Sequence, residues 1–175
     1  LFGVSLGVGF GPRYNIAPQT ELDAFALEDG GRVARRLRWG LVPSWAKDET
    51  IALKLFNARA EPAAAKPAFR HAFAHCRVLV PADGYYEWQP AGRYKQPWFI
   101  RMADRAPFAI AGLCESWTRE GRTLHTAVVL TVGPNSLVEP INKRMPAIVA
   151  PREWDAWLDP SNPDPSDLLR PFPAE

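Results

Sequence analysis

Short apolar stretches and alternating apolar and polar positions run along most of this chain, a pattern typical of β-strands. Residues 21–28 and 32–39 flank Asp29-Gly30-Gly31, and this arrangement predicts a hairpin with a tight turn. Further strands are predicted at residues 78–80, 85–89, 97–102, 108–115, 123–132 and 147–150. The two longest of these, joined at Arg119-Glu120-Gly121, are predicted to pair as a second hairpin.

Few helices are expected. The Ala-rich segment 62–74 is predicted to be helical, although Pro67 must begin or kink a turn within it. Residues 151–158 predict a second helix with proline in its first turn. The tail, 159–175, contains five prolines and is expected to be irregular. The chain is therefore predicted to be one α+β, β-rich domain spanning 1–175.

Composition narrows the class of protein. The 175 residues are 47% hydrophobic, which is enough for a sizeable core, but no apolar run is long enough to span a bilayer. Neither a signal peptide nor a metal-ligand spacing of Cys and His is recognisable, so no membrane association, metal or cofactor is expected. Cys76 and Cys114 are expected to be reduced thiols in a cytoplasmic protein, and a monomer is the expected state.

Charge is unevenly distributed along the chain. Residues 1–150 carry 19 Lys and Arg against 13 Asp and Glu, a surplus of +6, whereas 151–175 carry 2 against 6, a balance of −4. The basic body makes nucleic acid a possible partner without establishing it. Four tryptophans offer stacking platforms for bases, although most tryptophans lie in cores: Trp39, Trp45, Trp88 and Trp98.

Glu87 is the first candidate for acid–base chemistry. It follows a strand and a turn in the sequence PADGYYEW at 81–88, with Tyr86 and Trp88 as neighbours. Aromatic rings around a carboxyl group disfavour its charged form, which suits proton transfer near neutral pH. The alternative is a strand-edge Glu that points to water, because alternation places Tyr86 and Trp88 on one face and Glu87 on the other.

Two further segments mix polar and apolar residues. Asn57 and Arg59 would point to one side of an extended segment and could hold a polar ligand together. The alternative is that Asn57 caps a helix and Arg59 is a surface residue. Lys143 and Arg144 indicate anion binding, and a solvated cation pair is equally compatible with their spacing.

Taken in order, five motifs resemble those of the SOS-response-associated peptidase (SRAP) family: RYNIAP at 13–18, WGLVPSW at 39–45, FNARAE at 56–61, VPADGYYEW at 80–88 and RMP at 144–146. The resemblance extends from about residue 13 to residue 158. It implies a single β-rich α+β domain with a β-sheet or barrel-like core, a few short peripheral helices and a positively charged groove.

The resemblance also implies a chemistry. Members of the family recognise abasic sites in single-stranded DNA and use a cysteine exposed by removal of the initiator methionine. Its α-amine attacks the aldehyde of the open-ring sugar and its thiol closes a thiazolidine, which yields a stable crosslink. A neutral α-amine is a good carbonyl nucleophile, and an adjacent thiol can trap the imine. The resemblance further implies that the same site releases the initiator methionine and can have lyase activity.

Residue roles follow by position from the resemblance. Asn57 would orient the abasic sugar or the backbone of the nucleophile, and Glu87 would shuttle protons. The remaining residues would contact DNA, as phosphate ligands (Arg59 and Arg144), as groove walls or stacking surfaces (Trp45 and Trp88) and as the pocket floor (Asn15 and Pro18). The implied location is the cytoplasm, with association to the nucleoid when the protein is bound to DNA.

Two departures from the family pattern bear on these roles. The family's N-terminal Met-Cys-Gly-Arg segment is absent from this sequence, and we expect it to have been truncated here rather than truly lost from the protein. Asn142 stands where the family has a His, and an amide can hydrogen-bond but cannot titrate. A non-covalent DNA-binding relative and a peptidase acting only on its own N-terminus therefore remain as alternatives to a crosslinking sensor.

Overall fold

A computed structural model describes residues 2–4 and 10–174. The strands are β1 (Glu21–Glu28), β2 (Gly31–Trp39), β3 (Asn57–Arg59), β4 (Arg77–Ala82), β5 (Tyr85–Ala91), β6 (Tyr94–Ile100), β7 (Phe108–Arg119), β8 (Arg122–Val132), β9 (Met145–Pro146) and β10 (Ile148–Val149). The α-helices are α1 (Arg70–His75) and α2 (Trp154–Leu158), and the 3-10 helices are Glu49–Leu53, Pro151–Glu153 and Ser166–Leu168.

Five strands close into a barrel in the order β7-β4-β1-β2-β8, with β8 pairing back onto β7. All neighbours in this ring are antiparallel except β2 and β8, which run parallel over two residue pairs. Strands β3 and β9 extend the sheet beside β8, and β10 extends it beside β7. The prediction of a β-rich α+β fold with a barrel-like core is confirmed.

The two predicted hairpin turns are present and have a local cause. Asp29 and Gly30 have φ of 49° and 77°, and Glu120 and Gly121 have φ of 51° and 76°. Positive φ at both central residues matches the right-handed twist of the flanking strands, and Gly adopts it without a steric penalty. The turn residues therefore fix the register of β1 with β2 and of β7 with β8.

The barrel interior and the helices that close it form one continuous hydrophobic core. Trp154 and Trp157 of α2 are both buried against it. The predicted helix at 62–74 is wrong over most of its length, because the helical segment begins only at Arg70. Pro67 lacks an N–H and disfavours helical geometry before it, so the preceding residues form turns.

The expectation of two reduced thiols is wrong, because Cys76 and Cys114 form a disulfide. Cys76 follows α1, and Cys114 lies on β7. The backbone N–H of Cys114 donates to the Cys76 carbonyl. The intervening chain contains β4 and the β5–β6 hairpin. The bond therefore fastens the two ends of the segment that carries Glu87.

Neither a membrane-spanning helix nor a metal-binding cluster is present within residues 2–4 and 10–174. In this part of the chain, no helix is long and apolar enough to cross a membrane. No group of three or more His, Cys, Asp or Glu side chains is placed to hold a metal ion there.

Candidate functional site

Glu87 lies on a hairpin that is separate from the barrel sheet. Strands β5 and β6 pair only with each other, with Glu87 opposite Trp98. The hairpin can leave the barrel sharply because residue 84 is Gly: a Cβ atom there would lie 2.8 Å from the Ile100 carbonyl oxygen and closer still to the Phe99 ring. The Asp83-Gly84 turn thus requires a residue without a side chain.

A short series of contacts joins Glu87 to the loop before β9. The Asn142 side-chain nitrogen donates to Glu87 Oε2 at 2.6 Å, and Asn142 Oδ1 accepts from the backbone N–H of Arg144 at 3.2 Å. Among the described residues, no hydrogen bond reaches Glu87 Oε1. One carboxylate oxygen is thus held by a neutral amide, and the other is available to accept a proton.

Gln89 fastens the same face of the hairpin to the same loop. Its side-chain nitrogen donates to the Pro140 carbonyl at 2.8 Å, and its Oε1 accepts from Trp98 Nε1 at 3.0 Å. Tyr85 shares this face, and its hydroxyl is buried without a hydrogen-bond partner in the described part of the chain. Burial raises the pKa of Tyr85, and the charge of Glu87 raises it further, so the phenol stays protonated.

The opposite face of the hairpin is aromatic and half exposed. Tyr86 lies 6.3 Å from Trp88 and 5.1 Å from Phe99 between ring centroids. Because strand residues alternate, these rings point away from Glu87. The expectation that Tyr86 and Trp88 surround Glu87 is therefore wrong, and the only ring opposite Glu87 within the hairpin is that of Trp98. Trp88, 51% exposed, remains free to contact a ligand on the outer face.

Asn57 and Arg59 lie on the strand β3, at the edge of the sheet beside β8. Both are exposed, and Ala58 between them is buried, so the two side chains point to one side. The alternative of a helix cap at Asn57 is wrong, since the segment is extended. The alternation continues to Glu61, because Ala60 is buried and its N–H donates to the Thr131 carbonyl.

Arg144, in the loop directly before β9, reaches the same place. Its Nη1 and Nη2 atoms donate to the two oxygens of Glu61 at 2.7 and 2.9 Å, and Nη2 also donates to the Thr131 carbonyl. Hydrogen bonding to Arg144 lowers the pKa of Glu61, and the charge of Arg59 contributes. Contacts thus join Glu87, Asn142, Arg144 and Glu61 in a series, and Arg59 is near enough for its charge to act on Glu61.

The structure does not join the other candidate residues to this neighbourhood by any described contact. Trp45 is 60% exposed in the loop after β2, and its Nε1 donates to the Pro67 carbonyl at 3.4 Å. Asn15 and Pro18 are exposed in the segment before β1, where Asn15 has a φ of 57°. Their roles, like those of the other candidate residues, stay predictions.

Sequence reasoning missed Glu61 and Gln89 as members of the site. For Glu61 a signal was available, because Asn57, Arg59 and Glu61 alternate with alanines at the strand period. Gln89 carries a weaker signal, since it shares the period-two face of Glu87. The loop partner of each residue depends on tertiary packing and carries no local signal.

The chain is similar to a family model and to proteins that share the descriptive name abasic site processing protein. The family model described as SOS response associated peptidase (SRAP) matches residues 5–175. "Abasic site processing protein YoqW" of Bacillus subtilis (strain 168) is 41% identical over 169 residues, covering 94% of this chain and 75% of that protein. "Abasic site processing protein YedK" of Escherichia coli (strain K12) is 31% identical over 145 residues, covering 81% and 64%.

Solved structures share the fold. A crystal structure of a protein from Bacteroides thetaiotaomicron matches with a TM-score of 0.83 and 32% identity, covering 89% of this chain and 71% of that one. A protein from Bordetella bronchiseptica matches with a TM-score of 0.83 and 28% identity, covering 98% and 86%.

Proposed function

This chain belongs to the SOS response associated peptidase (SRAP) family, and we propose that it recognises abasic sites in single-stranded DNA and processes them. The finer proposal is a covalent thiazolidine crosslink through an N-terminal cysteine, which the sequence beginning at Leu1 does not contain. Release of the initiator methionine from that cysteine, and possible lyase chemistry, belong to the same proposal. The names of the relatives and the motifs of this chain support it.

The observation that carries the proposal is the series of contacts that links the Glu87 carboxylate, through Asn142, to the backbone of Arg144. Glu87 is joined through Asn142 to Arg144, and Arg59 lies on the neighbouring edge strand. An abasic strand offers a phosphate on each side of a reactive sugar aldehyde, which is the combination such a site can bind. Arginine suits the phosphates because its planar donors match their oxygens.

Glu87 would move protons during the reaction. When an α-amine adds to the sugar aldehyde, the nitrogen must lose protons and the carbonyl oxygen must gain them before it leaves as water. The thiol then adds to the imine carbon, and its proton passes to the nitrogen, so that one water is released overall. Glu87 Oε1 would accept and return these protons, while Oε2 stays bound to Asn142.

Asn57 and the aromatic residues would position the strand. Asn57, exposed beside Arg59, would hold the sugar or the nucleophile's backbone, and Trp88 and Trp45 would stack on flanking bases. Asn15 and Pro18 would form the pocket floor. A flexible single strand can follow the path that such separated contacts require.

A second candidate function is favoured by Asn142. The amide fixes Glu87 but cannot supply a second titrating group, which limits acid–base catalysis. A non-covalent relative that binds the lesion without reacting would need the cations and the stacking rings but not the proton-transfer pair.

The test uses the protein carrying the family's native Met-Cys-Gly-Arg N-terminus and single-stranded DNA with one abasic site. We expect a heat-stable adduct on a denaturing gel, with an intact mass equal to the protein without its initiator Met plus DNA minus one water. Glu87→Gln keeps an acceptor for Asn142 and should slow crosslinking about 100-fold or more while binding is retained. Glu139→Gln, an exposed residue outside the contact series, is the matched control.

Asn142→His distinguishes the two candidate functions. If the wild-type chain binds without reacting and Asn142→His reacts, the non-covalent function holds for this chain. If Glu87→Gln crosslinks at the wild-type rate, Glu87 has no part in proton transfer. If no protein binds the DNA, both candidate functions are wrong.

A further inference from the structure

Arg144 has almost no donor left with which to bind a phosphate. Five donor contacts leave its guanidinium: two to the Glu61 carboxylate, one to the Thr131 carbonyl and two longer ones, each 3.4 Å, from Nε and Nη2 to Thr131 Oγ1. The paired Nη1–Nη2 edge, which matches two oxygens of a phosphate, is fully used by Glu61. A phosphate can bind this edge only if the carboxylate leaves.

Glu61 is placed to leave. Its side chain is 57% exposed, against 26% for Arg144, so the carboxylate forms the outer half of the pair. Exposed ion pairs contribute little net stability, which makes an exchange of one anion for another inexpensive. Thr131 keeps three contacts with the guanidinium and holds it in place while the outer partner changes.

Arg59 makes the exchange selective for a polyanion. It lies opposite Thr131 in the β3–β8 register, is exposed, and makes no ion pair within residues 2–4 and 10–174. Its charge still acts on Glu61. A strand with successive phosphates can contact Arg59 first and then displace Glu61 from Arg144, whereas a single small anion gains only one of these contacts.

We propose that Glu61 occupies the phosphate-binding edge of Arg144 in the free protein, and that single-stranded DNA must displace it, so that Glu61 sets the affinity of this site. The inference rests on the proposed function for the identity of the anion. It assigns to Glu61 a positioning and specificity-determining part, distinct from proton transfer at Glu87.

The test is the affinity of undamaged fluorescent single-stranded 20-mer DNA, measured by anisotropy over a range of salt concentrations. Glu61→Gln should bind about five- to tenfold more tightly than wild type at low salt. The slope of log affinity against log salt should steepen by up to about 0.7, because one more phosphate contact is no longer offset by a released carboxylate.

Controls separate displacement from a general charge effect. Glu139→Gln makes the same change in net charge in the exposed loop before Asn142 and should raise affinity less than twofold. In an Arg144→Gln background, Glu61→Gln should give no gain, since the edge for which the two anions compete is gone.

The outcomes are distinct. An equal gain for Glu61→Gln and Glu139→Gln, a gain that persists without Arg144, or weaker binding by Glu61→Gln would each overturn the inference while leaving DNA binding intact. Absence of binding by every protein at the lowest salt would overturn the inference and the proposed function together.

Discussion

Arg77 offers the sharpest test of how the barrel is held to its helices. It is 4% exposed, and its guanidinium donates to four backbone carbonyls: Phe73, Trp157, Asp159 and Asn162. Those carbonyls lie at the ends of α1 and α2 and in the segment that follows α2. Burial lowers the pKa of Arg77, but the group remains charged at neutral pH. Arg77→Met keeps an unbranched side chain about as long as the aliphatic stem of arginine and removes every donor.

The expected loss follows from these contacts. Each carbonyl left without a partner costs about 1 kcal/mol or more, so four give a loss of roughly 4 kcal/mol in the free energy of unfolding. For a domain of this size, 1 kcal/mol shifts Tm by about 2–4 °C, so Tm should fall by roughly 8–16 °C. Arg77→Lys keeps the charge with fewer, differently placed donors and should lose about half as much.

The assay is urea and thermal unfolding followed by circular dichroism, with Arg101→Met as the control. Arg101 is exposed and makes no hydrogen bond or ion pair in the described part of the chain, so its loss should change stability by less than about 0.5 kcal/mol. Binding of single-stranded DNA well below Tm should be unchanged in Arg77→Met. A loss below about 1 kcal/mol would refute the idea that these four bonds fasten the helices.

Two further predictions concern the segment that carries Glu87. Intact mass under non-reducing conditions should show two hydrogens fewer than the reduced chain. Replacing both Cys76 and Cys114 by Ala should lower the free energy of unfolding by about 2–4 kcal/mol, because the bond closes a loop with a sequence separation of 38. Equal stability of the oxidised and reduced protein would contradict this. Gly84→Ala should destabilise by about 1–3 kcal/mol and weaken DNA binding, because the new Cβ collides with the Ile100 carbonyl. Gly133→Ala, whose Cβ would meet nothing within 4 Å, is the matched control, and an equal effect of the two would exclude the collision as the cause.

The strands were predictable because their signals are local. Alternation and the Asp29-Gly30 and Glu120-Gly121 turns act within a few residues, and the observed hairpins follow them. The prediction of a helix at 62–74 was wrong, although the signal against it is also local, because Pro67 stops helical geometry from propagating. Closure of the barrel by the parallel pairing of β2 with β8 has no local signal, because its partners are far apart in sequence.

The site was only partly predictable. Asn57, Glu87, Asn142 and Arg144 were selected by motif, yet their roles depend on contacts that cross 55 or more residues, such as Asn142 to Glu87 and Arg144 to Glu61. Cysteine spacing gave no indication of the disulfide, because pairing requires α1 and β7 to be adjacent in space. Alternation did contain the information that Trp88 faces away from Glu87. The alternative that Glu87 points to water is wrong, because Glu87 is half-buried and accepts a hydrogen bond from Asn142.

Asn142 connects the two halves of the site in a way that an ionisable residue would not. Its amide donates to Glu87 and accepts from the Arg144 backbone at the same time, and neither contact depends on its protonation. A neutral imidazole can also donate and accept, but protonation turns its acceptor into a donor. With a His at this position, the contact to the Arg144 backbone would be lost as pH falls through the pKa of that His. In this chain Asn142 keeps both contacts through that range, so the geometry that relates Glu87 to the backbone of Arg144 is retained, at the expense of a second titrating group.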